Sequence, residues 1–256
     1  VAMSGGIDSS VCALLMKERG VALEGVFMQN WDAGIEDGRH CTVERDYADA
    51  AKVASYLGIK LHRVNFVREY WHQVFEPTIQ GYRRGITPNP DILCNREIKF
   101  GKLLSWTRNT GCDLLATGHY AQVIYWNNQR WVGQAIDKKK DQSYFLSNLT
   151  GEQLDHVSFP LGQLMKSQIR KIAAREKGLA FLLEKPESMG ICFVGKRKRF
   201  GDFMVDFLED RSGAVLEIES GRHLGHCPLA GITVGQAMKI SGLPSNLLPI
   251  KPDDHM

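Results

Sequence analysis

The sequence predicts an α/β fold: a doubly wound parallel sheet, followed by the start of a small β-rich region. Three observations carry this. Apolar runs of strand length alternate with helix-period segments through the first half of the chain. The first strand runs directly into a glycine- and serine-rich turn that opens a helix. At 256 residues and 43% hydrophobic, the chain can cover both faces of such a sheet.

The elements follow in order. Residues 1–3 are the remnant of a strand. In residues 7–19, Ile7, Val11, Leu14 and Leu15 fall at helical spacing, and Gly20 stops the helix. Residues 21–28 read as a strand, 30–42 as a polar loop, 43–57 as a helix closed by Gly58, and 60–67 as a strand. Residues 69–84 read as helical, with Pro77 expected to kink or split them. "TPNPDILCNREIKF" (87–100) begins as a loop, and a helix is expected from about Arg96 to Asn109. A buried-type strand (112–118) precedes a hairpin turning at Asn127 and Asn128, which departs from the alternation and belongs at an edge. Residues 165–177 form a helix with Ile169, Ile172 and Ala173 on one face. Beyond about Phe207, "GAVLEIESGRHLGH" alternates like β-structure, so the chain divides into 1–207 and a partial β-rich domain, 208–256.

The net charge of +3 permits an anionic partner without demanding one. No apolar run approaches bilayer length, so no membrane partner is expected. Six irregularly spaced cysteines in a chain of this length indicate a reducing compartment rather than a secreted disulfide scaffold. The chain starts without an initiator methionine or targeting segment and ends in a Pro-rich stretch, which reads as a trimmed or partial chain.

"SGGIDSS" (4–10) lies between strand and helix. Gly5 and Gly6 let the backbone approach a phosphate, and the helix N-terminus supplies N–H donors and a favourable dipole. Ser4, Ser9 and Ser10 add hydroxyls. Asp8 would repel a phosphate unless a cation intervenes, so it reads as a Mg²⁺ or water-mediated ligand, or as a helix cap. No Lys follows the glycines, which excludes the GxxxxGK[ST] loop. The alternative is a plain strand–turn–helix with Gly and Ser for turning and capping. The stretch resembles the SGGxDS loop of the ATP-pyrophosphatase superfamily, whose fold is of the adenine-nucleotide alpha-hydrolase (PP-loop) type. The resemblance implies adenylation of a carbonyl oxygen by ATP, with Mg²⁺, and release of pyrophosphate.

Two cysteines stand in informative surroundings. Cys94 follows Asp91 in the Pro-stiffened stretch. Cys192 lies in "ESMGICFVGKRKRF", between Gly190 and Gly195 and ahead of the basic run 196–199, where cations favour a thiolate. Either cysteine alone reads equally well as a buried structural residue. Zinc and iron–sulfur sites need clustered thiols, and Asp91 stands where a CxxC would place its first, so no iron–sulfur cluster is expected. A redox-capable pair with a nearby acid remains.

"TPNPDILCNREIKF", "LLATGHYA", "KKDQSYFLS" and "SMGICFVGKR" resemble, in order and spacing, the tRNA-specific 2-thiouridylases over most of residues 1–207. The resemblance implies an ATP-dependent sulfurtransferase acting on the wobble uridine of tRNA and supplied by a persulfide-donor protein. It implies that Ala2, Met3, Ser4, Gly5, Gly6, Ile7, Asp8 and Ser9 form the nucleotide loop, with Met28 and Gly118 also on ATP. It places Asn89, Pro90 and Asp91 on the target base, and Lys140, Asp141 and Gln142 on tRNA. Cys94 is the implied nucleophile and Cys192 the persulfide carrier, the two able to form a disulfide, and Asp91 suits acid–base work. "LGHCPLAGITVGQAMKISGL" matches the family only loosely, with Ala237 in place of an Arg, and the family's C-terminal barrel is absent from the sequence. The wording around Cys192 is closer to the eukaryotic mitochondrial branch, which implies mitochondria; a bacterial member would be cytoplasmic. The rival readings are another adenylating tRNA-modifying enzyme, or a non-catalytic adenine-nucleotide-binding module that leaves both cysteines without a role.

Lesser candidates are His119, read as a structural histidine ahead of a ligand or base, and Asn30 and Asp32, lining the nucleotide site or capping a turn. Cys12, Cys41, Cys112 and Cys227 carry no motif. The Trp and Tyr residues of "EYWHQVF" (69–75) read as core ahead of a base-stacking platform.

Overall fold

The computed structural model describes residues 1–31, 42–186, 207–208 and 212–228. Its contacts group the chain into two units, Val1–Phe75 with Asn89–Lys196, and Glu76–Pro88 with Arg197–Met256.

In the first unit, α1 (Ile7–Glu18), α2 (Val43–Leu57), β1 (Gly25–Gln29) and β2 (Leu61–Asn65) follow the predicted alternation. β1 and β2 pair in parallel, as do β3 (Leu115–Ala116) and β6 (Val157–Ser158). The N-terminal residues join the two pairs. Ala2 bridges Val26 in parallel, its N–H donates to Ala116 O at 2.9 Å, and the Met3 N–H donates to Val26 O at 2.8 Å. The order across the sheet is therefore β2, β1, residues 1–3, β3, β6. The chain leaves its first strand toward one edge and later returns to build the other. Ligands of open α/β sheets bind at such a switch point, and here the glycine–serine loop occupies it.

Among the described residues, two apolar clusters cover the sheet. One combines Met3, Val11, Leu14, Phe27, Val53 and Leu161 with Ile169 and Ala173 of the helix Lys166–Arg175. The other combines Val26, Val64, Leu115 and Phe159 with Phe100, Leu103 and Leu104, and Ala2 and Met28 pack against it. The hairpin of β4 (Ala121–Trp126) and β5 (Gln129–Gln134) turns through Asn127 and Asn128, at φ 49° and 57°, the conformation of a tight two-residue turn.

One expectation is met and two are corrected. The helix of residues 69–84 is interrupted ahead of Pro77, as expected. α3 (Val67–Tyr70) widens into a π-type turn, Trp71–Phe75, directly before α4 (Glu76–Arg83) and its Pro77. Proline has no N–H to donate and its ring crowds the carbonyl four residues back, so the winding opens ahead of it. Secondly, the stretch read as loop up to Arg96 is already helical. α5 (Pro90–Leu93) starts with proline in the first turn, and the Asn89 side chain accepts from the N–H groups of Asp91 and Ile92 at 3.0 and 3.3 Å. It continues as a π-type segment, Cys94–Leu103, into α6 (Leu104–Asn109). Thirdly, the strand of residues 112–118 shrinks to β3, with Asp113 and Leu114 exposed. Tyr70 is core, as read, whereas Trp71 is only half-buried.

In the second unit, Gly81 lies against the Pro88 ring and Arg83 donates to Phe207 O at 3.3 Å. β7 (Ser212–Leu216) and β8 (His223–Pro228) form an antiparallel hairpin with an irregularity at Val215 and Leu216. Among the described residues no helix is long and apolar enough to cross a membrane.

Candidate active site

The glycine–serine loop is held in an open curve by its own hydroxyls. Ser9 Oγ accepts the Ser4 N–H at 3.1 Å, and the Ser9 and Ser10 hydroxyls donate to Gly6 O at 3.1 and 2.8 Å. Gly6 caps α1 without a side-chain bond, so the first helical N–H groups are left without a cap. Gly5 has φ +72°, and a Cβ there would stand 2.1 Å from the Asp46 carbonyl oxygen. Gly118 faces the same loop: a Cβ on it would lie 2.9 Å from Ser9 N and 3.0 Å from Asp8 C. The family resemblance implies that Gly118 shares the nucleotide with this loop, and the fold brings the two into backbone contact.

Asp8 is not a helix cap. Both its carboxylate oxygens accept from Lys166 Nζ at 2.7 Å, and Oδ1 also accepts from the Tyr120 hydroxyl at 2.7 Å. The cation that a carboxylate needs beside a phosphate is thus a lysine ammonium. No group of three or more His, Cys, Asp or Glu suited to a metal occurs among the described residues. A second lysine, Lys185, donates to Gly5 O at 2.9 Å and pairs with Asp46 at 2.7 Å and Asp49 at 2.5 Å, tying the loop to α2. Lys185→Met leaves two half-buried carboxylates without their cation. The expected cost is about 1–3 kcal/mol, because a part-exposed network is worth less than a fully buried one. Urea denaturation measures it.

Cys94 is buried at 3% exposure, one turn past Asp91. Burial pushes the Asp91 carboxyl above its usual range, and Lys99 pulls it partway back. A raised carboxyl suits a group that must both take and return a proton. Lys99 lies five residues beyond Cys94 in the π-type segment, whose i→i+5 winding brings such positions to nearly the same side.

Two links join the Cys94 helix and the loop. Gln142 Oε1 accepts the Tyr120 N–H at 3.0 Å, and Tyr120 in turn holds Asp8. Asn95 Nδ2, next to Cys94, donates to Phe145 O at 3.0 Å in the 3₁₀ turn Ser143–Leu146 that follows Gln142. Asp141 accepts from the N–H groups of Ala135 and Ser143 at 3.3 and 3.1 Å, and Lys140 is half-buried. Asp141, Gln142 and Asn89 thus brace the site's frame as they stand. Met28 is half-buried at the end of β1, followed by buried Asn30, whose Oδ1 has no hydrogen-bond partner. Cys192, Asp32 and the basic run 196–199 lie outside the described residues.

Sequence reasoning missed Tyr120, Lys166, Lys185 and Lys99. Lys166 did carry a signal. A lysine in the first turn of a helix opposes the dipole, which points to a carboxylate partner elsewhere. Lys185 and Lys99 had no such mark.

Residues 1–196 match the family model described as tRNA methyl transferase HUP domain. The chain is 47% identical over 237 residues to the tRNA-specific 2-thiouridylase MnmA of Levilactobacillus brevis. It is 49% identical over 238 residues to that of Streptococcus pyogenes serotype M2. Each alignment covers 92% of this chain and 62% of the relative, so the chain spans less than two thirds of the length of these proteins. Both are bacterial, which leaves the eukaryotic mitochondrial branch without support. The NMN synthetase of Francisella tularensis shows a loose structural likeness, with TM-score 0.45 at 16% identity over 79% of this chain and 70% of that one. With the parallel sheet and its loop at the switch point, the family match shows that the chain belongs to the tRNA methyl transferase HUP-domain family.

Proposed function

We propose that this chain is the adenylating and sulfur-transferring part of an ATP-dependent tRNA 2-thiouridylase. The observation that carries this reading is the linkage of a phosphate-type loop to a helix bearing Asp91 and Cys94, through Gln142–Tyr120–Asp8 and Asn95–Phe145. The names of the relatives supply the substrate class.

The residues fit a nucleotide. The uncapped N–H groups of α1 and the close face of Gly118 leave a backbone-lined cradle for phosphates. Asn30 Oδ1 is a buried acceptor without a donor, matching an adenine amino group near Met28. Mg²⁺ would arrive with the triphosphate, held mainly by phosphate oxygens.

In the proposed reaction the uridine O2 attacks the α-phosphorus. The O2–P bond forms, the bond to pyrophosphate breaks, and Asp91 takes the N3 proton. The terminal sulfur of a persulfide on Cys192 then attacks C2, and AMP leaves with the oxygen. The Cys94 thiolate attacks the Cys192 sulfur, and the S–S electron pair passes to the sulfur on C2 as N3 regains its proton. The resulting Cys94–Cys192 disulfide needs a cellular thiol reductant to reset it. Asn89 and Pro90 stand beside Asp91 to meet the base, which must leave its stack. Lys140 to Gln142 line the tRNA approach, and a persulfide-donor protein charges Cys192. The mitochondrial placement rests on the wording around Cys192 alone, and organelle fractionation tests it.

The test is incubation with tRNA, ATP, Mg²⁺ and a persulfide donor, followed by mass spectrometry of the wobble nucleoside and assay of AMP. Sulfur-for-oxygen exchange with AMP release is expected. ATP binding without tRNA-dependent AMP would overturn the reading in favour of a non-catalytic nucleotide module.

A further inference from the structure

Three lysines stand on the framework of the site, and two have carboxylate partners: Lys166 with Asp8, and Lys185 with Asp46 and Asp49. The third, Lys99, forms no ion pair among the described residues. Its Nζ instead lies 3.4 Å from His119 Nε2. His119 Nδ1 is 2.7 Å from Thr117 Oγ1, and the ring packs between Phe100 and Phe159, with centroids at 5.6 and 6.0 Å. An ammonium has only donors, so Nε2 accepts from Lys99 and Nδ1–H donates to Thr117. Burial first, and the charge of Lys99 second, hold the imidazole pKa well below its usual value, so His119 is neutral. A neutral acceptor orients Lys99 without cancelling its charge.

The position of that charge is informative. His119 follows Gly118, whose backbone abuts Asp8 and Ser9. Lys99 itself belongs to the helix of Cys94. The ammonium therefore stands where the loop end of the site meets the thiol end. Among the described residues, a half-buried cation whose hydrogen-bond partner is a neutral ring is costly unless an anion comes to it. Asp91 is the nearby acid: burial raises its carboxyl, the Lys99 charge draws it partway back, and no ion pair joins the two.

We propose that Lys99 is a catalytic residue that binds the α-phosphoryl oxygens of the adenylated uridine and of the departing AMP, with His119 as its orienting acceptor. This inference rests on the adenylation chemistry proposed above and assigns it a residue. As O2 displaces pyrophosphate, and again as the C2–O bond breaks and its electron pair leaves with AMP, negative charge stays on the α-phosphoryl group. A hydrogen bond from a cation fixed at that point stabilises both steps.

Calorimetric titration of the 256-residue chain with AMP and with adenosine separates the phosphoryl contact from base recognition. Lys99→Met is expected to weaken AMP about tenfold or more, the scale of a charged hydrogen bond, and to leave adenosine unchanged. Lys99→Arg should restore most of the loss. Unchanged AMP affinity in Lys99→Met overturns the proposal, as does parallel weakening of adenosine. Loss confined to tRNA affinity also overturns it, in favour of an RNA-backbone contact. Failure of the wild-type chain to bind ATP or AMP would instead remove the nucleotide reading on which the proposal stands.

Discussion

Cys94→Ser should leave ATP binding intact and reduce 2-thiouridine formation by on the order of 10³-fold or more, as loss of an essential nucleophile does. The substitution is nearly isosteric, and the side chain is 3% exposed. A purely structural role would look different: burying a hydroxyl would cost about 1–3 kcal/mol of stability, with turnover per folded molecule unchanged. Denaturation and mass spectrometry of the product nucleoside, run on the same preparation, separate the two. Wild-type thiolation in this variant would remove Cys94 from the reaction. Pyrophosphate release should persist, and AMP should form about once per charged molecule, because in the proposed sequence both steps precede the attack of Cys94.

Gly5→Ala should damage both stability and nucleotide binding. At φ +72° an L side chain is strained by about 1–2 kcal/mol. The new Cβ would also stand 2.1 Å from the Asp46 carbonyl oxygen, which is main chain and cannot swing aside. Relieving such an overlap costs about 1–3 kcal/mol more. Either the loop or the start of α2 must shift, and Lys185 ties both together. A loss of about 2–5 kcal/mol in urea unfolding is expected, with ATP affinity down at least about tenfold. Normal affinity at wild-type stability would show that Gly5 is only a convenient turn residue.

The parts of this molecule visible in its sequence are those set by short-range pattern. Helical spacing in residues 7–19 and 43–57, a turn at two asparagines, and Gly5 and Gly6 between strand and helix all act within a few residues. The doubly wound parallel sheet followed because alternating strands and helices leave few topologies. What stayed hidden depends on distant partners. Lys166 meets Asp8 across 158 positions, and Lys185 meets Asp49 across 136, so no local window contains either pair. Asn89 and Pro90 were misread for the opposite reason. Two prolines close together look like a loop, yet asparagine at the cap and proline in the first turn are how a helix begins. Cys94 therefore sits on a rigid element instead of a flexible one.

The π-type winding of Cys94–Leu103 has a further consequence. In an α-helix, positions five apart are rotated by about 140°, so ordinary winding would carry Lys99 away from the side of Cys94. The segment should accept many substitutions on its exposed face, such as at Arg96, but no change of length. Removing one residue would let the helix tighten and would part the thiol from the ammonium, while every side chain discussed remained present. In this stretch, spacing matters as much as identity.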